Sequence, residues 1–365
     1  MKWSLKIARV AGIDIQIHAT FLLILGWVAF SYYLVGRSVN AVITGVGFLL
    51  ALFLCVVLHE LGHALAARRF GIQTKDITLL PIGGVARLER MPEKPMQELW
   101  VALAGPLVNV VISAVLFIGL LFSGALQPLG SLSMTGGPFL ERLMVVNLFL
   151  AGFNLIPAFP MDGGRVVRAL LATRLPYTQA TQAAATLGQA LAFVFGFIGL
   201  FTNPFLVFIA FFVYIGAAQE ASMVQMKSAL SGIPVSQAMV TDFRTLQEGE
   251  PLSRAIELLM SSTQQDFPVL SGERVVGVLT RKSLVEALQR LGQNAPVSAA
   301  MDCRFESAHI NDMLEEVSRK LQERECHTLP VIADDRLVGL VTMENIGEFL
   351  MIRSALEKRA AAATR

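Results

Sequence analysis

The sequence predicts an α-helical polytopic membrane protein of about six transmembrane helices, with a short β-hairpin beside its polar centre, continued by a soluble α/β module. Three observations carry this prediction. Apolar residues make up 54% of the 365 positions and charged residues 16%, with a mean hydropathy of +0.58, against about 45–50% and about 25% for soluble domains. The charges are unevenly placed: residues 1–222 hold 14 Lys/Arg and 9 Asp/Glu, and the remaining 143 residues hold 35 charges. From Ile233 onward the chain repeats itself at an offset of 62. A chain this apolar lacks the polar surface to cover one soluble globule, which excludes an ordinary soluble enzyme or a disordered chain. A net charge of +2 gives no footing for nucleic acid. The expected organisation is a membrane domain over 1–222, a linker over 223–232, repeats over 233–292 and 293–352, and a tail over 353–365.

Six apolar stretches follow one another near 18–35, 41–67, 99–122, 143–160, 180–201 and 205–222. At about 1.5 Å per residue each approaches the roughly 30 Å hydrocarbon thickness. The fourth is short and interrupted by Pro157 and Pro160. Twelve Lys/Arg fall at the start and in the second–third and fourth–fifth loops, whereas the opposite side holds only Arg37 and Arg142. That asymmetry predicts a multi-pass protein of the cell membrane with both termini cytoplasmic. Met1–Asp14 is polar and basic, and no A-x-A site follows the first apolar run, so no cleavable leader is expected. Cys55, Cys303 and Cys326 are odd in number and lack framework spacing, so nothing implies an oxidising compartment; Cys303 and Cys326 read as reduced thiols and Cys55 as a small buried membrane residue. Trp3, Trp27 and Trp100 read as anchors or packing.

Charges left inside apolar segments cost about 2.5–3.5 kcal/mol each near the bilayer centre and point to function. The second stretch contains His59-Glu60-Leu61-Gly62-His63. The four-residue spacing stacks both imidazoles on one helix face as two legs of a zinc site, and Glu60 can serve a metal-activated water as general base. A hydrolytic zinc site takes three protein ligands and keeps a fourth position open. Asp162 is the one carboxylate between 143 and 219, and Gly163-Gly164 after two prolines allow an irregular turn that swings it inward. The alternative is a plain Pro-Asp-Gly-like turn at the membrane surface. A third segment, Thr78 to Glu89 with Gly83-Gly84 at its centre, reads as an extended hairpin that offers a strand edge to an unwound peptide, or as an ordinary loop.

Together, His59–His63, Gly83-Gly84, Ala104-Gly-Pro-Leu-Val-Asn109 and Asn154-Leu-Ile-Pro-Ala-Phe-Pro-Met-Asp162-Gly-Gly-Arg165 resemble the site-2 proteases, intramembrane zinc metalloproteases of peptidase family M50. The resemblance covers residues 1–222. It implies one Zn2+ held by His59, His63 and Asp162, Glu60 as catalytic acid/base, and Asn154, Gly83 and Gly84 near the substrate backbone. It also implies a single-span membrane substrate such as an anti-sigma factor, a pro-sigma factor or a tethered transcription factor. A transporter, the rival class, would show paired interrupted helices in repeated halves, which this sequence lacks.

In the soluble half, Val235-Ser236, Ala238-Met239, Pro268-Val269 and Gly277 recur as Val297-Ser298, Ala300-Met301, Pro330-Val331 and Gly339. Each unit reads helix, strand, turn, strand, helix, and the pair resembles tandem CBS domains. That resemblance implies an adenine-nucleotide site at Thr280/Ser283 and Thr342/Asn345, where the family pattern has Thr followed three residues later by Asp. Neither slot holds the aspartate, so two readings stand: nucleotide sensing, or a nucleotide-free structural role that includes homodimerisation through the CBS domains. His309 and His327 read as ordinary surface or packing residues.

Overall fold

The structure, a computed structural model, describes residues 3–81, 83–88, 92, 94–127, 137–323 and 327–363. Cys326, Glu89, Arg90 and Arg365 lie outside the described residues. The chain divides into two compact units, 1–224 and 225–365.

The polar-basic start folds as β1 (Ser4–Val10) and β2 (Ile13–His18), an antiparallel hairpin. His18 then caps α1 (Ala19–Gly36), its Nδ1 accepting from the Thr20 amide, and Ser38 caps α2 (Val39–Arg68). After α2 the chain returns as β3 (Thr74–Leu80) and β4 (Gly83–Leu88), confirming the expected hairpin. β2 pairs with β3 in parallel, so the sheet order is β1-β2-β3-β4 with β4 at an edge. Buried Asp76 on β3 is paired with Arg87 on β4, which ties that edge strand down.

Then follow α3 (Pro95–Phe122), α4 (Phe139–Asn154), α5 (Asp162–Ala172), α6 (Tyr177–Thr202) and α7 (Pro204–Leu230). Helices α1, α2, α3, α6 and α7 are long and apolar enough to cross a membrane. The fourth stretch, expected over 143–160, is a 16-residue helix that stops at Asn154 ahead of Pro157. At about 1.5 Å per residue it spans about 24 Å, short of the hydrocarbon thickness. Residues 223–230 of the expected linker are the last turns of α7.

The second unit contains β5 (Leu246–Gln247), α8 (Leu252–Ser261), β6 (Phe267–Ser271), β7 (Arg274–Leu279) and α9 (Arg281–Leu291). Its repeat contains β8 (Ala308–His309), α10 (Leu314–Glu323), β9 (Thr328–Ala333), β10 (Arg336–Thr342) and α11 (Met343–Ala363). The two repeats exchange their leading arms. Val235 is buried in the core built by Leu314, Val331 and Val341, and Val297 in the core built by Leu252, Val269 and Leu279. A Cβ on Gly277 would lie 2.7 Å from Met301 Sδ, and one on Gly339 would lie 2.7 Å from Met239 Sδ. Each repeat therefore needs a glycine where the other repeat's methionine lies against its sheet. The tail, expected to fray after 352, is helical as far as Ala363.

Candidate metal centre and active site

Helix periodicity stacks His59 and His63 one turn apart on α2, and both are buried. His63 Nδ1 lies 2.7 Å from the Val101 carbonyl oxygen, which can only accept, so Nδ1 carries the proton and Nε2 the lone pair. His59 Nδ1 lies 2.5 Å from Asn109 Oδ1 and is set the same way. The two Nε2 atoms are 3.1 Å apart, and Asp162 Oδ2 is 3.1 Å from His63 Nε2 and 3.3 Å from His59 Nε2. Three lone-pair donors crowded this closely repel one another unless a cation lies among them. Their spacing is close to the roughly 3.3 Å edge of a tetrahedron with bonds of about 2.0–2.1 Å, so the set fits zinc. Among the described residues these three are the group able to hold a metal ion.

Asp162 arrives by an irregular passage over Leu155–Met161 that folds back on the start of α5. A Cβ on Gly163 would lie 2.2 Å from the Ile156 carbonyl oxygen, so the passage closes only over glycine. The turn is thus no surface feature; it carries the carboxylate to the histidines. α5 is pinned by Arg168, fully buried, whose guanidinium meets Glu98 Oε1 at 2.5 Å and Glu220 Oε1 at 2.5 Å. The rings of Phe159 and Tyr177 stack on it at 5.0 Å. α3 also approaches the donors closely: a Cβ on Gly105 would lie 2.2 Å from His63 Nε2 and 2.7 Å from His59 Nε2. Gly105→Ala is therefore expected to lower zinc affinity tenfold or more, about the loss seen when a metal site's supporting contacts are removed. The check is zinc content on purified protein whose helical circular dichroism is unchanged.

The sequence profile of peptidase family M50 matches residues 47–135 and 130–195, and that of the CBS domain matches 235–290 and 297–351. A protein of Methanocaldococcus jannaschii named as a zinc metalloprotease is 35% identical over 282 residues, covering 76% of this chain and 78% of that one. The chain belongs to peptidase family M50. A Synechocystis sp. relative is 28% identical over 379 aligned positions and covers 97% of both chains, so the likeness extends through both halves. Among solved structures, a site-2 protease from Methanocaldococcus jannaschii is similar, with 39% identity, 60% of this chain and 95% of that chain covered, and a TM-score of 0.44.

In this M50 metallopeptidase Glu60 is partly exposed, beside the buried histidines and outside the donor trio. It lies under β4: a Cβ on Gly84 would come 2.8 Å from Glu60 Cγ and 3.0 Å from Val56 Cγ1. Gly83, before it, has φ +141°, a conformation open to glycine. The structure thus brings Gly84, on an edge strand, to Glu60, with Gly83 beside it in the chain. Asn154 is the last residue of α4, and its Nδ2 donates to the Leu150 carbonyl at 3.0 Å.

The CBS residues are spent locally. Thr280 caps α9, accepting from the Ser283 amide at 3.1 Å, and its hydroxyl meets Ser283 Oγ at 2.9 Å. Thr342 accepts from the Asn345 amide at 3.1 Å and donates to Asn345 Oδ1 at 2.6 Å. The sequence marks Gly105 and Asn109 only as members of the Ala104–Asn109 motif, gives no role to Asn147 or Glu98, and shows Arg168 only as a loop charge. The usable signal was the insertion cost of asparagines in apolar helices.

Proposed function

We propose that this M50 peptidase hydrolyses a peptide bond within or near the transmembrane segment of a single-span membrane regulator, such as an anti-sigma factor, a pro-sigma factor or a tethered transcription factor. In this reading His59, His63 and Asp162 hold one zinc ion, and Glu60 moves the proton. The convergence of three lone-pair donors within 3.3 Å, buried in the helical domain beside Glu60, carries it.

When bound, zinc supplies Lewis acidity toward a peptide carbonyl and a nucleophile from water at neutral pH. Glu60 takes the proton from the attacking water and delivers it to the departing amine. The edge of β4 at Gly83-Gly84 pairs with the substrate backbone, and Asn154 helps to hold its carbonyl. Such pairing needs an unwound substrate, because a helix hides its carbonyls in its own hydrogen bonds. Both termini and the CBS pair face the cytoplasm, and rearrangement of the pair gates access to the site; the pair senses an adenine nucleotide or has a nucleotide-free structural or dimerisation role.

A reporter with a single span, reconstituted with the full chain, tests the unwinding step. Two leucine-to-glycine changes at the scissile region lower the unwinding cost by about 2 kcal/mol, so cleavage is expected to rise about 10- to 30-fold. Equal rates for helix-stabilised and helix-weakened reporters would overturn that step. Adding ATP, ADP or AMP to the same assay tests the nucleotide form of the gate, which predicts a changed rate.

A further inference from the structure

We propose that Asn147, on α4, is a positioning residue for His59, acting through Asn109 on α3 to hold that imidazole in its metal-binding tautomer. The inference rests on the reading of His59 as a zinc ligand and extends it to two residues that have no donor atom in the trio.

Both asparagines are buried inside the helical domain, Asn109 at 1% exposure and Asn147 at 0%, so water is not their partner. Asn147 Nδ2 lies 2.8 Å from the Leu143 carbonyl oxygen. Asn109 Nδ2 lies 2.8 Å from Asn147 Oδ1, and Asn109 Oδ1 lies 2.5 Å from His59 Nδ1. An amide's oxygen and nitrogen look alike, and only the network orients them. Here one end of the network is unambiguous. The Leu143 carbonyl can only accept, so Asn147 must direct its NH2 there and its oxygen at Asn109. Asn109 must then donate its NH2 to that oxygen and turn its own oxygen to His59. His59 must donate from Nδ1, which leaves the Nε2 lone pair facing His63 and Asp162.

The two histidines are therefore set by different means. His63 is oriented by the backbone carbonyl of Val101, which cannot turn over. His59 is oriented by a side-chain amide that could turn over, and Asn147 removes that freedom. If Asn109 flipped, it would offer His59 an NH2 group, which can pair only with an unprotonated Nδ1. The proton would then reside on Nε2, and the metal would lose that donor.

A mutant cycle on the full chain in detergent tests this, reading the zinc dissociation constant by chelator competition and folding by helical circular dichroism. Asn147→Leu is expected to weaken zinc about tenfold, within the range typical of an outer partner of a metal-binding histidine. Asn147→Asp keeps the oxygen that Asn109 needs once its other oxygen is protonated to donate to the Leu143 carbonyl, and is then expected to stay within about two-fold of wild type. The deciding arm is Asn147→Leu on an Asn109→Asp background. Aspartate presents an oxygen to His59 whichever way it turns, so the loss caused by Asn147→Leu is expected to vanish. An equal loss in both backgrounds would assign Asn147 to helix packing and overturn the relay, and so would wild-type affinity in Asn147→Leu. A wild-type chain that takes up no zinc would instead overturn the metal site itself, and the relay with it.

Discussion

Replacing Asp162 by alanine is expected to remove zinc and proteolysis together. Detergent-purified wild type should carry about one zinc per chain, the stoichiometry of a three-ligand site with one open position. Asp162→Ala and His59→Ala should each carry almost none. The expectation follows from the spacing of the donors. Two neutral imidazoles, their Nε2 atoms 3.1 Å apart, would hold a divalent ion with no charge compensation, and Asp162, its Oδ2 3.1 and 3.3 Å from those nitrogens, supplies the negative charge. The carboxylate also has little room to be replaced by a neighbour. Gly163 locks the passage before it against the Ile156 carbonyl, and Arg168 pins α5 to Glu98 and Glu220. Retention of one tightly held zinc in Asp162→Ala would place the third ligand elsewhere. Loss in Asp162→Ala but not in His59→Ala would assign the metal to a different set.

The parts of the site legible in the sequence are those with local periodicity or a scarce residue type. His59, Glu60 and His63 fall out of one helical repeat, and Asp162 stands out because carboxylates are so rare in that stretch. The 62-residue offset likewise predicts two matching α/β units. What stays hidden is non-local pairing. The alternation in Ile13-Asp-Ile-Gln-Ile is visible in hindsight, but its partner β3 lies beyond two long helices, and nothing local announces that parallel match. Asn109 and Asn147 carry an insertion cost that flags each one, yet the sequence cannot say that they meet each other and His59. Arg168 looks like one more basic loop residue until α3, α6 and α7 bring Glu98, Tyr177 and Glu220 around it. The exchanged arms of the CBS pair belong to the same class, since Gly277 is explained only by Met301 of the other repeat.

Glu60→Gln separates the proton carrier from the metal ligands. The two side chains are isosteric, so the amide can still lie under Gly84, where the space between α2 and β4 is tight. Zinc should remain at about one per chain, because the donor trio is His59, His63 and Asp162 and its ordering contacts run through Val101 and Asn109. Cleavage should nevertheless fall by about 10²- to 10⁴-fold, the usual worth of a positioned general base. An amide can hold water near the carbonyl but cannot accept its proton, so the loss belongs to proton transfer rather than to substrate binding. It should accordingly appear in kcat with KM nearly unchanged. A Glu60→Gln enzyme that cuts at the wild-type rate would move the base to another group. One that loses its zinc would make Glu60 part of the metal's support, and the division of labour along α2 would have to be redrawn.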